Sequence, residues 1–140
     1  MSNNRRKKRI GILTGGGDAP GLNAVIRAVV HTAMNDFNVE VLGLRNGFDG
    51  LVEPEDMIVL SHSQVRGILS HGGTILGAAN RGNPFSRKTI VNGKEVISDM
   101  SEQALDNIDR LELDSMIVVG GDGTLTISKA LYDKGAPIVG

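Results

Sequence analysis

Two glycine-rich stretches hold the residues best suited to chemistry in this chain of 140 residues. The first glycine motif, TGGGDAPGLN (Thr14–Asn23), separates an apolar run from a helical pattern. Consecutive glycines leave backbone N–H groups unobstructed, and the following helix adds partial positive charge, so phosphate oxygens can bind there without a lysine. The motif lacks the ending of a P-loop and the spacing of the dinucleotide fingerprint. A strand-to-helix turn without a ligand is the alternative interpretation.

The second glycine motif, VVGGDGTL (Val118–Leu125), repeats the order of strand, glycines and helix start. Its acidic residue, Asp122, would repel a bare phosphate. Mg²⁺ takes one or two carboxylates together with phosphate oxygens, so Asp122 is a candidate metal ligand. A helix N-cap is an equally good interpretation of Asp122, because aspartate is common at that position.

A third feature is Arg81, within the stretch GGTILGAANRGNPF. A guanidinium near the carboxyl edge of a sheet can clamp phosphate with two hydrogen bonds and stabilise the charge that develops during phosphoryl transfer. The alternative is a solvent-exposed surface arginine.

Predicted strands and helices alternate along the chain, and these elements place the candidate residues. Apolar runs predict strands at Ile10–Leu13, Val39–Leu44, Met116–Val119 and, just beginning, Pro137–Gly140. Periodic patterns predict helices from Leu22 to Ala33 with Asp18 and Pro20 as start signals, around Val65–Leu69, over Ser98–Leu111 with Ser98 as cap, and over Thr124–Lys134. This order predicts an α/β fold: a doubly wound, mainly parallel sheet with helices on both faces, Rossmann-like, three-layered and truncated.

The same patterns predict a surface loop and a core. Residues 80–96 are rich in turn residues and predict an exposed loop that can include a hairpin. The predicted core comprises Leu13, Ile26, Val30, Val41, Ile108, Ile117 and Val119. Both glycine motifs follow predicted strands, so they are expected at the carboxyl edge of the sheet, where ligands bind in open α/β folds.

Composition narrows the function classes. A formal net charge of -1 with 40% apolar residues provides no strong field for nucleic acid or membranes. The absence of cysteine excludes disulfides, thiolate zinc sites and thiol catalysis, and a cytoplasmic location is expected. Residues 1–9 form a basic tail, expected to be solvated and frayed, and residues 10–140 form the domain.

Three segments, GILTGGGDAPGLNAVIR, GGTILG and VVGGDGT, resemble the bacterial-type 6-phosphofructokinase family from Arg9 to Gly140. GGDAPGLNA is specific to that family, whereas GGDGT also occurs in NAD kinases and diacylglycerol kinases. The resemblance implies glycolytic transfer of the γ-phosphoryl group of ATP to the 1-hydroxyl of fructose 6-phosphate, giving fructose 1,6-bisphosphate. It also implies Mg²⁺ and a homotetramer for the full-length protein.

Family roles carry over to matching positions. Gly17 matches a backbone contact to ATP, and the run Gly121, Asp122, Gly123 and Thr124 matches the nucleotide-phosphate loop, with Asp122 on magnesium. Arg81 and Gly82 match an arginine-containing ATP contact, although the loop is one residue longer here and Asn80 can share that role.

Gly123 bears on the phosphoryl donor. Family members that use pyrophosphate tend to carry aspartate there, which would crowd and repel the inner phosphate of ATP. Glycine therefore favours ATP, and pyrophosphate remains the alternative donor.

The effector-binding positions of the family carry fewer arginines in this sequence. The family's effector arginines correspond to Arg27, His31 and His62, so we expect weak, pH-dependent or absent allostery. Ordinary surface residues are the alternative.

The family's catalytic base lies in a TIDND-like loop expected beyond Gly140, so no catalytic residue is assigned and the 140-residue chain alone is expected to be inactive. The residues also allow a non-catalytic nucleotide-binding module, or a NAD or lipid kinase.

Overall fold

The computed structural model describes residues 5–78 and 82–140. In chain order the elements are β1 (Arg9–Thr14), α1 (Leu22–Asp36), β2 (Glu40–Gly43), α2 (Asp49–Val52), β3 (Ile58–Leu60), β4 (Arg87–Val91), β5 (Lys94–Ser98), α3 (Ser101–Arg110), β6 (Ser115–Val119), α4 (Asp122–Asp133) and β7 (Ile138–Val139). Short 3₁₀ helices occupy Pro54–Asp56, Ile68–Ser70 and Pro84–Ser86. None of the helices in the described ranges has the length and apolarity needed to cross a bilayer.

The main sheet of the described residues has the strand order β3-β2-β1-β6-β7. All neighbouring strands run parallel except β3, which is antiparallel to β2. The chain moves from β1 outwards to β2 and β3, and later returns to the other side of β1 with β6 and β7. The direction of winding therefore reverses between β1 and β6, which is a topological switch point.

Helices cover both faces of this sheet, as predicted. Alternation along β1 sends Leu13 into one core and Ile12 into the other. The Leu13 core also contains residues of α2, α3 and α4, and the Ile12 core contains residues of α1. The domain is thus three-layered, and the predicted α/β fold class is confirmed.

Five of the seven predicted core residues are buried: Leu13, Ile26, Val30, Val41 and Ile108. The prediction of full burial is wrong for Ile117 and Val119, which are only partly buried. Ile117 pairs with Ile12 on one side and with Val139 on the other, so these side chains share the α1 face. Helix α1 covers β1 and β2, and the surface continues outwards to Val139, which is 61% exposed.

The start of α1 differs from its predicted signals. The helix begins at Leu22 after Gly21, which adopts a left-handed conformation with φ 95° and provides no side-chain cap. Asp18 and Pro20 lie in the segment between β1 and the helix. A positive φ costs glycine nothing, so Gly21 sets the entry into the helix by its backbone conformation.

Two other helices also begin elsewhere than predicted. Ser98 is the last residue of β5, and α3 begins at Ser101, whose N–H donates to Oδ1 of Asp99 at 2.9 Å. The prediction of Ser98 as cap is wrong, because Met100 occupies the cap position and no side chain caps the helix; Asp99, the residue before it, accepts from the first helical N–H. Helix α4 begins at Asp122, two residues before the predicted Thr124.

A β-hairpin follows the 3₁₀ helix Pro84–Ser86. Strands β4 and β5 pair antiparallel around an Asn92-Gly93 turn in which both residues have positive φ, as type I′ turns require. This confirms the hairpin option for the predicted surface loop. At its base Arg87 contacts Glu53 at 3.0 Å and Asp49 at 3.7 Å, which ties the hairpin to α2 and the segment after it.

The N-terminal segment is partly attached to the domain. Residues 5–8 form no helix or strand, but Arg6 donates to both carboxylate oxygens of Asp114, at 3.1 and 2.9 Å. This hydrogen bonding lowers the pKa of Asp114 below its ordinary value. The basic tail is therefore held against the fold at Arg6 and is not frayed there.

Candidate functional site

Both glycine motifs leave the sheet at the switch point, side by side. Thr14, the last residue of β1, pairs with Val119, the last residue of β6. Beyond this pair, the N–H of Gly15 donates to the carbonyl of Val119 at 2.8 Å. The two motifs therefore open into the same space at the carboxyl edge of the sheet, as the strand predictions implied.

That space is a cleft with a volume of about 1260 Å³. Its described lining comes from the first glycine motif, the residue before α2, the segment leading into the hairpin, the second glycine motif and α4: Gly15, Gly16, Gly17, Ala19, Leu22, Phe48, Gly82, Asn83, Ser86, Lys88, Val119, Gly120, Gly121, Asp122, Gly123, Thr124, Thr126 and Ile127. A small-molecule site usually occupies roughly 300–1000 Å³, so this cleft is large enough for a small-molecule ligand.

The cleft unites most of the predicted site residues. Gly17, Gly82 and the run from Gly121 to Thr124 all line it. Arg81 and Asn80, the predicted arginine contact and its neighbour, lie outside the described residues.

Two glycines of the cleft are required by packing against Thr124. A Cβ added at Gly15 would lie 2.7 Å from both Oγ1 and Cγ2 of Thr124, and one added at Gly120 would lie 2.6 Å from its Cβ. Thr124 is buried, and its carbonyl accepts a hydrogen bond from Ser128 at 2.9 Å. The side chain of Thr124 thus holds the two glycine motifs in register.

Two other glycines face open space. A Cβ added at Gly121 or Gly123 would meet no atom within 4 Å, and neither residue has a positive φ. Packing and backbone conformation therefore do not demand glycine at these positions. Their N–H groups belong to the beginning of α4, where unpaired donors and the helix dipole favour an anion.

Asp122 is the first residue of α4, and its side chain is exposed to the cleft. The N-cap interpretation is wrong, because Gly121 occupies the cap position and no side chain caps the helix. Within the part of the chain that the structure describes, the Asp122 carboxylate accepts no hydrogen bond. A free carboxylate among backbone donors is a suitable donor set for a cation that accompanies an anionic ligand.

The donor set also limits which metal fits. No group of three or more His, Asp or Glu side chains that could hold a metal ion is present in residues 5–78 and 82–140. A dedicated protein cage such as those of structural zinc or calcium sites is therefore not formed by these residues. One carboxylate fits Mg²⁺, which is commonly bound by one or two carboxylates plus phosphate oxygens and water.

Two buried polar residues that the sequence patterns did not reveal position the loop that precedes residues 79–81. Asn23 donates to the carbonyl of His71 at 3.1 Å and accepts from the N–H of Ile75 at 2.8 Å. The Thr14 hydroxyl donates to the carbonyl of Gly77 at 2.9 Å. An asparagine within the apolar stripe of α1 is a visible signal in the sequence, but its loop partner, about 50 residues away, is not.

The three predicted effector positions lie outside the lining of the cleft. The rings of His31 on α1 and His62 after β3 meet edge-to-face, with centroids 4.7 Å apart and an interplanar angle of 62°. Partial burial, and then the nearby charges of Arg27 and His62, lower the pKa of His31 below its ordinary value. The structure thus brings these residues together, in a setting that disfavours a positive charge on His31.

A doubly wound sheet with two glycine turns at its switch point defines the class of α/β domains that bind ligands at that edge. The Phosphofructokinase family model matches residues 9–140, and the chain belongs to this family. The family assignment made from the sequence motifs is therefore confirmed.

Known relatives agree with this assignment. The chain is 45% identical over 134 residues to ATP-dependent 6-phosphofructokinase 2 of Clostridium perfringens, covering 95% of this chain and 36% of that protein. It is 48% identical over 132 residues to ATP-dependent 6-phosphofructokinase 3 of Streptomyces coelicolor, covering 94% and 35%. The crystal structure of Pichia pastoris phosphofructokinase in the T-state superposes with a TM-score of 0.80 at 33% identity, covering 99% of this chain and 14% of that one. The chain thus spans about a third of the length of these curated relatives.

Proposed function

We propose that this chain provides the nucleotide- and metal-binding part of a glycolytic kinase that transfers the γ-phosphoryl group of ATP to the 1-hydroxyl of fructose 6-phosphate. The observation that carries the proposal is the cleft at the switch point, where both glycine motifs and the free carboxylate of Asp122 meet. Membership of the phosphofructokinase family and the names of the relatives support this choice of reaction.

Each motif has a distinct part in binding. The glycines of the first motif, including Gly17, present backbone N–H groups to the polyphosphate from the end of β1. The beginning of α4, at Gly121 and Gly123, presents donors and the positive end of a helix of 12 residues. Because Thr124 fixes the separation of the motifs, both sets of donors are organised before the ligand arrives, which lowers the cost of ordering them.

Asp122 would hold Mg²⁺ beside the phosphates. When bound, this ion supplies electrostatic stabilisation of the charge on the transferring phosphoryl group. Asp122 makes the carboxylate available without first breaking a helix cap. Gly123, the next residue, leaves space at the inner phosphate.

Proton acceptance from the sugar hydroxyl needs a second group. Asp122 is the single carboxylate that lines the described part of the cleft, and the metal role would occupy it. We therefore propose that the base lies outside these 140 residues and that this chain alone does not phosphorylate fructose 6-phosphate. We also propose a cytoplasmic homotetramer for the full-length protein, in keeping with its family and with a chain that has no cysteine.

The donor is tested by kinetics on the full-length protein with ATP and with pyrophosphate, at saturating fructose 6-phosphate. We expect phosphorylation with ATP and little with pyrophosphate. Failure of ATP to support the reaction would contradict the proposal, and turnover with pyrophosphate alone would assign that donor instead. Turnover with NAD or a lipid, and none with the sugar phosphate, would place the chain among the kinases that share GGDGT.

A pair of substitutions at Gly123 sharpens this test. Gly123→Asp places a negative charge at the inner phosphate, so we expect KM for ATP to rise at least roughly tenfold. Gly123→Asn is the matched control, because it adds the same bulk without the charge and should have a smaller effect. Both side chains enter open space, so neither variant should lose thermal stability. Equal KM values for ATP in wild type and Gly123→Asp would show that no phosphate lies near this residue.

A further inference from the structure

The hairpin brings a lysine to the cleft that neither glycine motif provides. Lys88, on β4, contributes to the lining, although it is distant from both motifs along the chain. Among residues 5–78 and 82–140, it is the only cationic side chain that lines the cleft. Asp122 is the only acidic side chain in the described lining. A polyphosphate carries several negative charges, so one cationic donor in the lining is chemically significant.

Contacts of the residues that precede Lys88 in the chain fix its position. The side chain of the preceding residue, Arg87, is only 17% exposed and holds the base of the hairpin through its contacts with Asp49 and Glu53. Before it, Asn83 caps a 3₁₀ helix by accepting from the N–H of Phe85 at 3.0 Å. These contacts place the first residues of β4 at the mouth of the cleft, and residues 91–94 at the tip of the hairpin are exposed.

The ammonium group of Lys88 can leave its present partner, Glu95, for another anion. It contacts Oε1 of Glu95 across the hairpin at 3.0 Å, and both side chains are more than half exposed. An exposed ion pair of this kind contributes little to stability, so leaving Glu95 for a phosphate oxygen requires little energy. The long flexible stem of lysine lets the ammonium group move while the backbone remains in place.

We propose that Lys88 binds the polyphosphate of the donor, exchanging its contact with Glu95 for phosphate oxygens when the nucleotide enters the cleft. This inference rests on the proposed function, because it assumes a polyphosphate ligand. A three-donor ammonium group suits phosphate oxygens and carries no preference for the base, so its contribution should grow with the number of phosphates.

The test is a comparison of Lys88→Ala with Lys94→Ala in the full-length protein. Lys94 is an exposed lysine on the same hairpin that does not line the cleft, so both variants lose the same charge from the same element. We expect Lys88→Ala to raise KM for ATP roughly tenfold with kcat within about twofold, and Lys94→Ala to change neither. Lys88→Arg should recover most of the lost affinity.

Binding titrations with adenosine, ADP and ATP in the presence of Mg²⁺ separate contact from structural damage. Lys88→Ala should weaken the binding of ATP more than that of ADP and leave the affinity for adenosine unchanged. Glu95→Gln should bind ATP as tightly as wild type or more tightly, since it removes a competing anion. Equal losses for all three ligands, or a loss of ATP affinity in Glu95→Gln, would overturn the assignment of Lys88.

The wild-type titration distinguishes the two proposals. If wild type binds ATP and Lys88→Ala binds it equally well, the Lys88 assignment fails and the proposed function stands. If wild type binds none of these three ligands, the proposed function fails and the assignment of Lys88 fails with it.

Discussion

The two glycine motifs look alike in sequence but enter their helices differently. After β1 the chain makes a long turn through Gly16 and Gly21, both with positive φ, before α1 begins. After β6 it reaches α4 within two residues, and Asp122 is already helical. The first motif is therefore a shaped loop stabilised by its surroundings, and the second is a helix N-terminus.

The same contrast exists among the glycines themselves. Gly15 and Gly120 are pressed against Thr124, whereas Gly121 and Gly123 border empty space. Glycine thus serves two purposes in one cleft: close packing of the motifs and room for a ligand. Substitutions at the two kinds of position should affect different measurements, stability in one case and binding in the other.

The largest effect is expected at Asp122, the charged residue that distinguishes the second motif. Asp122→Asn removes the proposed metal anchor, and we expect kcat/KM of the full-length protein to fall roughly 100-fold or more. Stability should change little, because the side chain is exposed and caps nothing. Asp133→Asn, at the other end of α4, is the matched control and should retain full activity. If both variants kept wild-type rates, the carboxylate of Asp122 would have no part in the reaction.

The next effect concerns the packed glycines. Gly120→Ala forces a Cβ to within 2.6 Å of the Cβ of Thr124, so we expect a loss of about 1–3 kcal/mol in the free energy of unfolding. Gly123→Ala adds the same methyl group to open space within the first turn of α4, where alanine favours the helix, and should not lower that energy. Urea unfolding measures both. Similar losses in the two variants would remove the distinction between packed and open glycines.

A double substitution tests whether Thr124 is the obstacle. A Cβ at Gly15 would collide with Cγ2 and Oγ1 of Thr124 but lie 3.3 Å from its Cβ, so Thr124→Ala should relieve much of the strain of Gly15→Ala. The same change should not rescue Gly120→Ala, because there the obstructing atom is Cβ itself. Rescue of both variants would mean that the motifs adjust more freely than the structure indicates.

Most of the architecture could be predicted because its signals are local. Short apolar runs predict β1, β2 and β6, and helical periodicity predicts α1, α3 and α4. The rule that ligands bind beyond strand ends then places both glycine motifs at one edge. The antiparallel strand β3 was not predicted, because three residues carry too little pattern to separate them from a loop.

The features that escaped prediction depend on contacts distant in sequence. The burial of Ile117 depends on how far α1 extends over the sheet. The position of Lys88 in the lining of the cleft depends on a hairpin whose base is held by Arg87. Likewise, GGG and GGDG give no sign of which glycines touch Thr124. The role of Asp122 at the start of α4 is ambiguous in the sequence, because aspartate favours both a cap and a first helical turn.

The smallest effect is expected from pH, through His31 on α1, the helix that follows the first motif. Between the lowered pKa of His31 in the fold and its ordinary value near 6.5, the unfolded chain binds more protons. The free energy of unfolding should therefore decrease as the pH falls from about 7 through this window, and level off below the folded pKa. Urea unfolding of wild type and His31→Gln across roughly pH 8 to 5 isolates this contribution as a difference. A difference that is constant with pH, or that grows in favour of wild type on acidification, would show that partial burial and the nearby charges of Arg27 and His62 do not disfavour the charged imidazole.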